Sequence, residues 1–381
     1  MEIIDPIFNL HKIKFDYLDK WGLVNPSITR ANVYINLDNV FKMLINPRVN
    51  NFIQASASVD SDTDGYFKQV SRNIVANTIN LGQHYRLWLA KHSMESRIVL
   101  FWNNPMDSNY INANYIPTYR RDYQDRYHPS MENAHIVSAI KDAMEFCKSC
   151  IQYVNEVYLV TSDTIEGSLI PYLLEQEVYQ KDGIKTRNIL ISSSSYDFSY
   201  TDYGFVVLVP PMRKKDPYFV TGQNVMEVLK NRAKVSSVIS APSNFVEFLI
   251  ALLGDHDRNI PSISGVGIVA ILKILTQAIS EGFITEDTKD IQMLSDILKS
   301  DYKEIFQRNY HCTNLEYQYK DLTPLDIHKV VSQLVDNYDE ATLNEMNEKY
   351  FKLSPIELIR PKSEQVLYDR NPYTSIFSGR K

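Results

Sequence analysis

The stretch Gly254-Asp255-His256-Asp257-Arg258-Asn259-Ile260-Pro261-Ser262-Ile263-Ser264-Gly265-Val266-Gly267 decides how this chain is read. An apolar segment, Phe245 to Leu253, runs up to it with helical character, and Gly254 stops that helix. A second apolar helix, Ile268 to Ile279, follows Gly265 and Gly267. Glycines let a backbone come close to a phosphate, and the free N–H groups of a helix's first turn face an anion. Taken alone, the segment is either a plain connector between packed helices or a turn that grips a phosphate.

Upstream the pattern changes from helical to alternating. Asn32 to Asp38 reads as a buried strand ending in a carboxylate, and Arg97 to Trp102 as a second strand. Val157 to Val160, Asn188 to Ser192 and Phe205 to Val209 continue the series. Helical patterns lie between them, at about Tyr66 to Lys91, Glu132 to Val154 and Ile165 to Gln180. Strands alternating with helices predict an α/β fold with a mostly parallel sheet flanked by helices. From Asn244 onward the pattern is helical, and the tail 356–381, with Pro361 and Pro372, reads as extended.

The 381 residues fit one large α/β domain with an appended helical part. Hydrophobic residues at 44% and charged residues at 23% are ordinary for a globular protein. No run of about 18 apolar residues is present, so no transmembrane helix and no membrane partner are expected. The start, Met1 to Pro6, lacks the features of a signal peptide, and three cysteines make no disulfide framework, so a reducing, cytoplasmic setting is expected. The net charge of −6 argues against coating nucleic acid by bulk charge but leaves room for a local basic groove. The 25 tyrosines, with frequent Asn and Ile, fit an AT-rich genome such as a virus carries.

The glycine segment resembles the Gly-Asp-x-x-Asp-Asn-Ile-Pro-Gly-Val-x-Gly-Ile-Gly motif of the 5′ nuclease family, which includes flap endonucleases and phage RNase H-type exonucleases. The matching residues are Gly254, Asp255, Asn259, Ile260, Pro261, Gly265 and Gly267. Other blocks fall in the family's order. Asp38 resembles its first metal aspartate, and Tyr119-Arg120-Arg121 its Tyr-Lys-x-x-Arg segment. Ile165 to Leu169 stands where the family has Glu-Ala-Asp-Asp, and Ser193 to Phe198 where it has Ser-x-Asp-x-Asp-Phe. The resemblance spans roughly 31–355. It implies an N-terminal extension (1–30), a PIN-like core (31–243) with a helical gateway at about 103–130, and a helix-three-turn-helix with a C-terminal helical region (244–355).

Two-metal phosphodiester hydrolysis needs several carboxylates around cations about 4 Å apart, and the family supplies about seven or eight. By resemblance the retained metal ligands are Asp38, Glu166, Asp197 and Asp255. The remaining positions carry Asn103 or Asn104, Ser168, Leu169, Ser195 and Arg258, with Asp257 one place early and Asp163 nearby. Leucine cannot ligate a metal, and arginine brings a fixed positive charge to a cation's place. The resemblance implies Mg²⁺ or Mn²⁺, and the reduced set implies one ion at most, or none.

DNA contacts expected by resemblance are Tyr119, Arg120, Arg121 and Arg126 in the gateway, and Gly265, Gly267 and Lys273 at the glycine turn. Aromatics can stack on unpaired bases and arginines can hold phosphates. Arg120 takes the place of the family's lysine, and Val269 stands where a lysine often follows the last glycine. Arg213 to Lys215 is either a DNA-facing patch or a solvated loop. Cys147 and Cys150 read as ordinary helix residues, since a zinc site needs four ligands. Two functions follow as expectations. One is a structure-specific DNA-binding pseudonuclease serving branched, flap or 5′-ended DNA beside replication or transcription proteins. The other is an active Mg-dependent 5′–3′ exonuclease or flap endonuclease.

Overall fold

The structure, a computed structural model, describes residues 13–25, 27–38, 78, 81–103, 110–120, 144–145, 157–162, 164–179, 185–211, 216–232 and 244–334. Outside them lie the expected helix at 132–154 save two residues, Arg121, Arg126, Asp163, the 213–215 patch, both helix cysteines and the tail.

Six strands form one sheet: β1 (Arg30–Asn36), β2 (Glu95–Asn103), β3 (Val157–Ser162), β4 (Thr186–Ile191), β5 (Val206–Val209) and β6 (Tyr218–Val220). Their order is β3-β2-β1-β4-β5-β6, parallel throughout except for the β5–β6 pair. This is the α/β class expected. The three-residue antiparallel edge strand β6 is an addition, too short to show as periodicity. The chain lays β1, β2 and β3 outward in one direction, then returns to place β4 on the other side of β1. That reversal opens a crevice beyond the carboxyl ends of β1 and β4. Asp38 lies just past β1, and Ser192 to Asp197 just past β4.

Alternation along the strands divides the side chains between two apolar clusters. Val33 and Ile35 point to one, with Ile98, Leu100, Ile189 and Ile191. Tyr34 points to the other, with Val99, Val160 and Leu190. Both faces are covered, as a parallel sheet requires. The first face carries α1 (Phe15–Lys20) and the helical residues 81–91, here α2. Asp19 at the end of α1 accepts hydrogen bonds from Trp88 Nε1 at 3.0 Å, His92 Nε2 at 2.7 Å and Lys91 Nζ at 2.7 Å. The described part of the N-terminal extension is thereby fastened to α2.

The second face carries α3 (Ile170–Leu174), α4 (Val225–Arg232), α5 (Val246–Leu253), α6 (Ile268–Ser280), α7 (Ile291–Asp296), α8 (Ser300–Thr313), α9 (Leu315–Lys320) and α10 (Pro324–Val331). In α6, Ile268, Ile271, Leu272, Leu275 and Ala278 recur every three to four residues and are buried. Each of the isoleucine and leucine side chains contributes about 1.5–3 kcal/mol when fully buried. These helices and the sheet share one apolar cluster. The helix expected over Ile165–Gln180 is split into a 3₁₀ turn (Gly167–Leu169), α3 and a π turn (Glu175–Tyr179). Buried Glu175 in the π turn accepts from Asn32 Nδ2 at 2.7 Å and from Tyr34 Oη at 2.5 Å, which ties that turn to β1.

A buried acidic joint fastens α5 to its surroundings. Glu247 accepts hydrogen bonds from Tyr203 Oη at 2.8 Å, Asn314 Nδ2 at 2.6 Å and Leu315 N at 2.9 Å. Asp202 Oδ2 accepts from Val246 N at 3.0 Å, while its Oδ1 is buried without a hydrogen-bond partner. Burial pushes the Glu247 carboxyl up to about 7 against the pull of Lys289. Burial, then the neighbouring Glu247, pushes Asp202 well above the usual aspartate range. An unfolded glutamate releases its proton near 4.5. Between that pH and the raised value of the folded state the folded chain holds the extra proton, so stability falls as pH rises. Asp202→Asn removes one of the two like charges. Its thermal midpoint should exceed that of the wild type clearly at pH 8 and little at pH 5; an equal effect at both pH values would contradict the joint.

Candidate functional site

Four chain segments bring carboxylates to the crevice. Asp38 sits at the end of β1, with its N–H donating to Asn36 Oδ1 at 2.9 Å. Glu166 caps the 3₁₀ turn that follows β3. Asp197 lies in the first turn of a 3₁₀ helix (Tyr196–Tyr203) that follows β4. Asp255 opens the glycine turn, accepting from Arg258 N at 2.9 Å. Asp38, Glu166 and Asp197 are 6%, 2% and 0% exposed. Burying that much negative charge requires opposite charge among it.

Two arginines supply it. Arg120 Nε donates to Glu166 Oε2 at 2.6 Å, and Arg120 Nη2 donates both to Glu166 Oε1 and to Asp38 Oδ2, the latter at 3.3 Å. Tyr119 Oη adds a hydrogen bond to Glu166 Oε2 at 2.7 Å. Arg258 Nη2 stands between the carboxylates, 3.6 Å from Glu166 Oε1 and 3.8 Å from Asp197 Oδ1, and its Nη1 is 3.6 Å from Asp255 Oδ2. It also donates to Ser168 Oγ at 2.8 Å and Ser194 Oγ at 3.3 Å, and lies 3.8 Å over the Tyr196 ring. Asp197 Oδ2 accepts from Asn36 Nδ2 at 3.1 Å and from Ser192 Oγ. Although burial opposes ionisation of Glu166, Arg120 and Arg258 hold its carboxyl down at about 2. The same carboxylates push the Arg258 guanidinium up against the effect of its own burial.

The backbone is shaped to aim these side chains. Arg120 and Asn259 both take left-handed φ values, +53° and +56°. Such a conformation is uncommon for residues other than glycine. Arg120 N–H donates to Arg258 O at 3.0 Å, so the gateway segment and the glycine turn are joined through main chain as well. Gly254, at φ +75°, admits no other residue: a Cβ there would lie 2.5 Å from Ile260 O and 2.6 Å from Ser262 N. Asn309 of α8 secures the turn from below, donating to Ala251 O at 2.8 Å and Pro261 O at 2.7 Å.

Tyr119 and Arg120, expected on DNA, are turned inward, 3% and 1% exposed, because the carboxylates bind them. Gly265, Gly267 and Lys273 are exposed, together with Ser262 and Ser264. Gly267 caps the N-terminus of α6, and a Cβ at either glycine would meet nothing within 4 Å. Arg121 and Arg126 fall outside the described residues. Asn36, Ser192, Ser194 and Tyr196 belong to the cluster without having been singled out. The available signals were the Ser193–Phe198 block, which contains Ser194 and Tyr196, and Asn36, two residues before Asp38.

These residues do not fit a pair of divalent cations. A guanidinium fills the space between Glu166 and Asp197, and both Glu166 oxygens are bound to Arg120. Among the described residues no group of three or more His, Cys, Asp or Glu side chains is arranged to hold a metal ion.

No family model and no curated protein matches the sequence. Among solved structures the chain is similar to a bacteriophage T5 5′-exonuclease with bound zinc ions, at 12% identity and a TM-score of 0.43, covering 86% of this chain and 100% of that one. It is also similar to a bacteriophage T5 flap endonuclease pseudo-enzyme–product complex with DNA and metal ions, at 14% identity and a TM-score of 0.41, covering 86% and 99%.

Removing one partner of a buried ion pair leaves the other charge uncompensated and costs about 3–5 kcal/mol. Arg120→Met should lose stability on that order at pH 7 in denaturant unfolding. Adding Glu166→Gln to it should recover much of the loss. Because Glu166 is held at about 2, below the 4.5 of an unfolded glutamate, its contribution is present above 4.5 and is lost as pH falls toward 2. The wild type should therefore lose more stability than the double variant between pH 5 and pH 3.

Proposed function

We propose that this chain is a DNA-binding protein of 5′ nuclease design that grips duplex DNA beside a flap or end and does not perform two-metal hydrolysis. The observation that carries the reading is the place of Arg258 within the glycine turn. Its side chain fills the space among the carboxylates from inside, while the outer surface of the same turn stays open. Two-metal catalysis needs cations where the guanidiniums are, and an arginine cannot activate a water as a bound cation does. On the outer side, the exposed N-terminus of α6 behind Gly265 and Gly267, with Lys273 one turn along, is suited to a backbone phosphate. Phosphate contacts of this kind position a protein on DNA without reading its sequence. Preference for branched or ended DNA, and service in replication or transcription, follow the resemblance in the glycine turn and its companion blocks.

The test is a gel shift on 5′-flap and blunt duplexes across a salt series, in EDTA and in Mg²⁺ or Mn²⁺. Binding should favour the flap, weaken with salt and be indifferent to EDTA, and the labelled flap should stay intact. Gly267→Glu places a carboxylate in open space at the helix N-terminus, so the fold should be unaffected while duplex affinity falls at least about tenfold. Lys273→Ala should reduce the salt slope by about one unit. Absence of binding at low salt refutes the proposal. Flap cleavage that disappears in Asp38→Ala refutes its non-catalytic half.

A further inference from the structure

Arg120 and Arg258 stand where the gateway segment, the glycine turn and the chain ends that carry the carboxylates meet. Arg120 belongs to the segment after the 3₁₀ turn Ile111–Asn114, Arg258 to the glycine turn, and their carboxylate partners to the ends of β1 and β4 and the turn after β3. Both side chains are at most 3% exposed; Arg120 binds both oxygens of Glu166, and Arg258 also donates to the neutral hydroxyls of Ser168 and Ser194. A divalent cation among carboxylates neutralises their charge and cross-links the segments that bear them. Here two covalently attached cations perform both tasks. Four carboxylates meet two guanidiniums, so the cluster keeps an excess of two negative charges. That excess would draw in a divalent ion if the space were open, and Arg258 closes it.

We infer that Arg120 and Arg258 are resident counter-ions that replace divalent metal as the cross-link of this site, so that the folded chain requires no metal, and that Arg258 keeps a latent divalent site shut. The inference goes beyond the proposed function and is independent of DNA binding, since its readouts are metal affinity, stability and amide exchange in the free protein.

The experiment compares the full-length wild type, Arg258→Ala and Arg258→Lys by thermal unfolding in EDTA and in millimolar Mn²⁺ or Mg²⁺, with Mn²⁺ binding followed by electron paramagnetic resonance. The wild type should melt at the same midpoint with and without metal. Arg258→Ala should melt lower in EDTA, bind Mn²⁺ at least about tenfold more tightly than the wild type, and regain stability with it. Amide exchange at Arg120 and Ile260 should quicken in Arg258→Ala without metal and slow again with Mn²⁺. Arg258→Lys, which keeps a charge but loses the paired donors, should fall between in EDTA and gain no Mn²⁺ affinity. A wild-type midpoint that rises with Mn²⁺ overturns the inference, as does an Arg258→Ala protein that melts like the wild type or gains no Mn²⁺ affinity. Should Arg258→Ala fail to fold without metal, folding restored by Mn²⁺ supports the inference, and failure with Mn²⁺ as well refutes the latent site.

Discussion

The structure around the crevice depends on compensating negative charge that has been taken out of water. Asp38, Glu166 and Asp197 come from three separate segments, and none of them is exposed enough for solvent to screen it. An ionised carboxylate buried alone would shift its titration or disrupt the packing around it. With Arg120 and Arg258 in place Glu166 stays ionised, and the ends of β1 and β4, the turn after β3, the gateway segment and the glycine turn converge. Other features of the site serve this arrangement. Left-handed φ at Arg120 and Asn259 and the crowded Gly254 are conformations that a loop free to relax would avoid.

The same requirement explains why one loop carries two distinct surfaces. The Asp255–Ile260 bridge, with Asp255 N–H donating to Ile260 O at 3.0 Å and Ile260 N–H to Asp255 O at 2.9 Å, closes the first half of the turn around the buried side of Arg258. Ile260 and Ile263 then anchor it in the apolar cluster, and the second half emerges as Ser264, Gly265 and Gly267. Small residues on the outside let another molecule reach the main chain. The fixed inner half keeps those amides in one geometry, which lowers the entropic cost of binding.

Much of this was legible in the sequence, and the remainder was hidden for physical reasons. Five of the six strands show as apolar runs because a parallel sheet is buried on both faces, and helix α6 shows through its three-to-four spacing. Strand β6 is too short to show any period. The helical run after Ile165 looked continuous because 3₁₀, α and π turns place apolar residues at similar spacings over so few residues. The four carboxylates could be read from order and neighbours. The burial of Arg120 could not be read, since an arginine among tyrosines suits an exposed stacking surface and a buried ion pair equally well. What decides is a partner, Glu166, that lies 46 positions away along the chain.

Arg258 is where the two tasks of such a scaffold come apart. In two-metal chemistry the ions both hold the segments together and drive the reaction, so structure and catalysis share one set of groups. A guanidinium takes over the first task well, because it is permanently charged, planar and able to bind several acceptors at once. It cannot take the second: its protons do not leave near neutral pH, and it has no coordination position in which to lower the pKa of a water. On the proposed reading, an arginine in this position preserves the geometry of the outer turn and supplies no source of a nucleophile. A neutral substitution would have left buried charge behind and endangered both. On this argument the inner face of the turn is constrained by stability and the outer face by what it binds. Residues on the two faces can then vary independently as long as Gly254, Ile260 and Asn309 keep them in register.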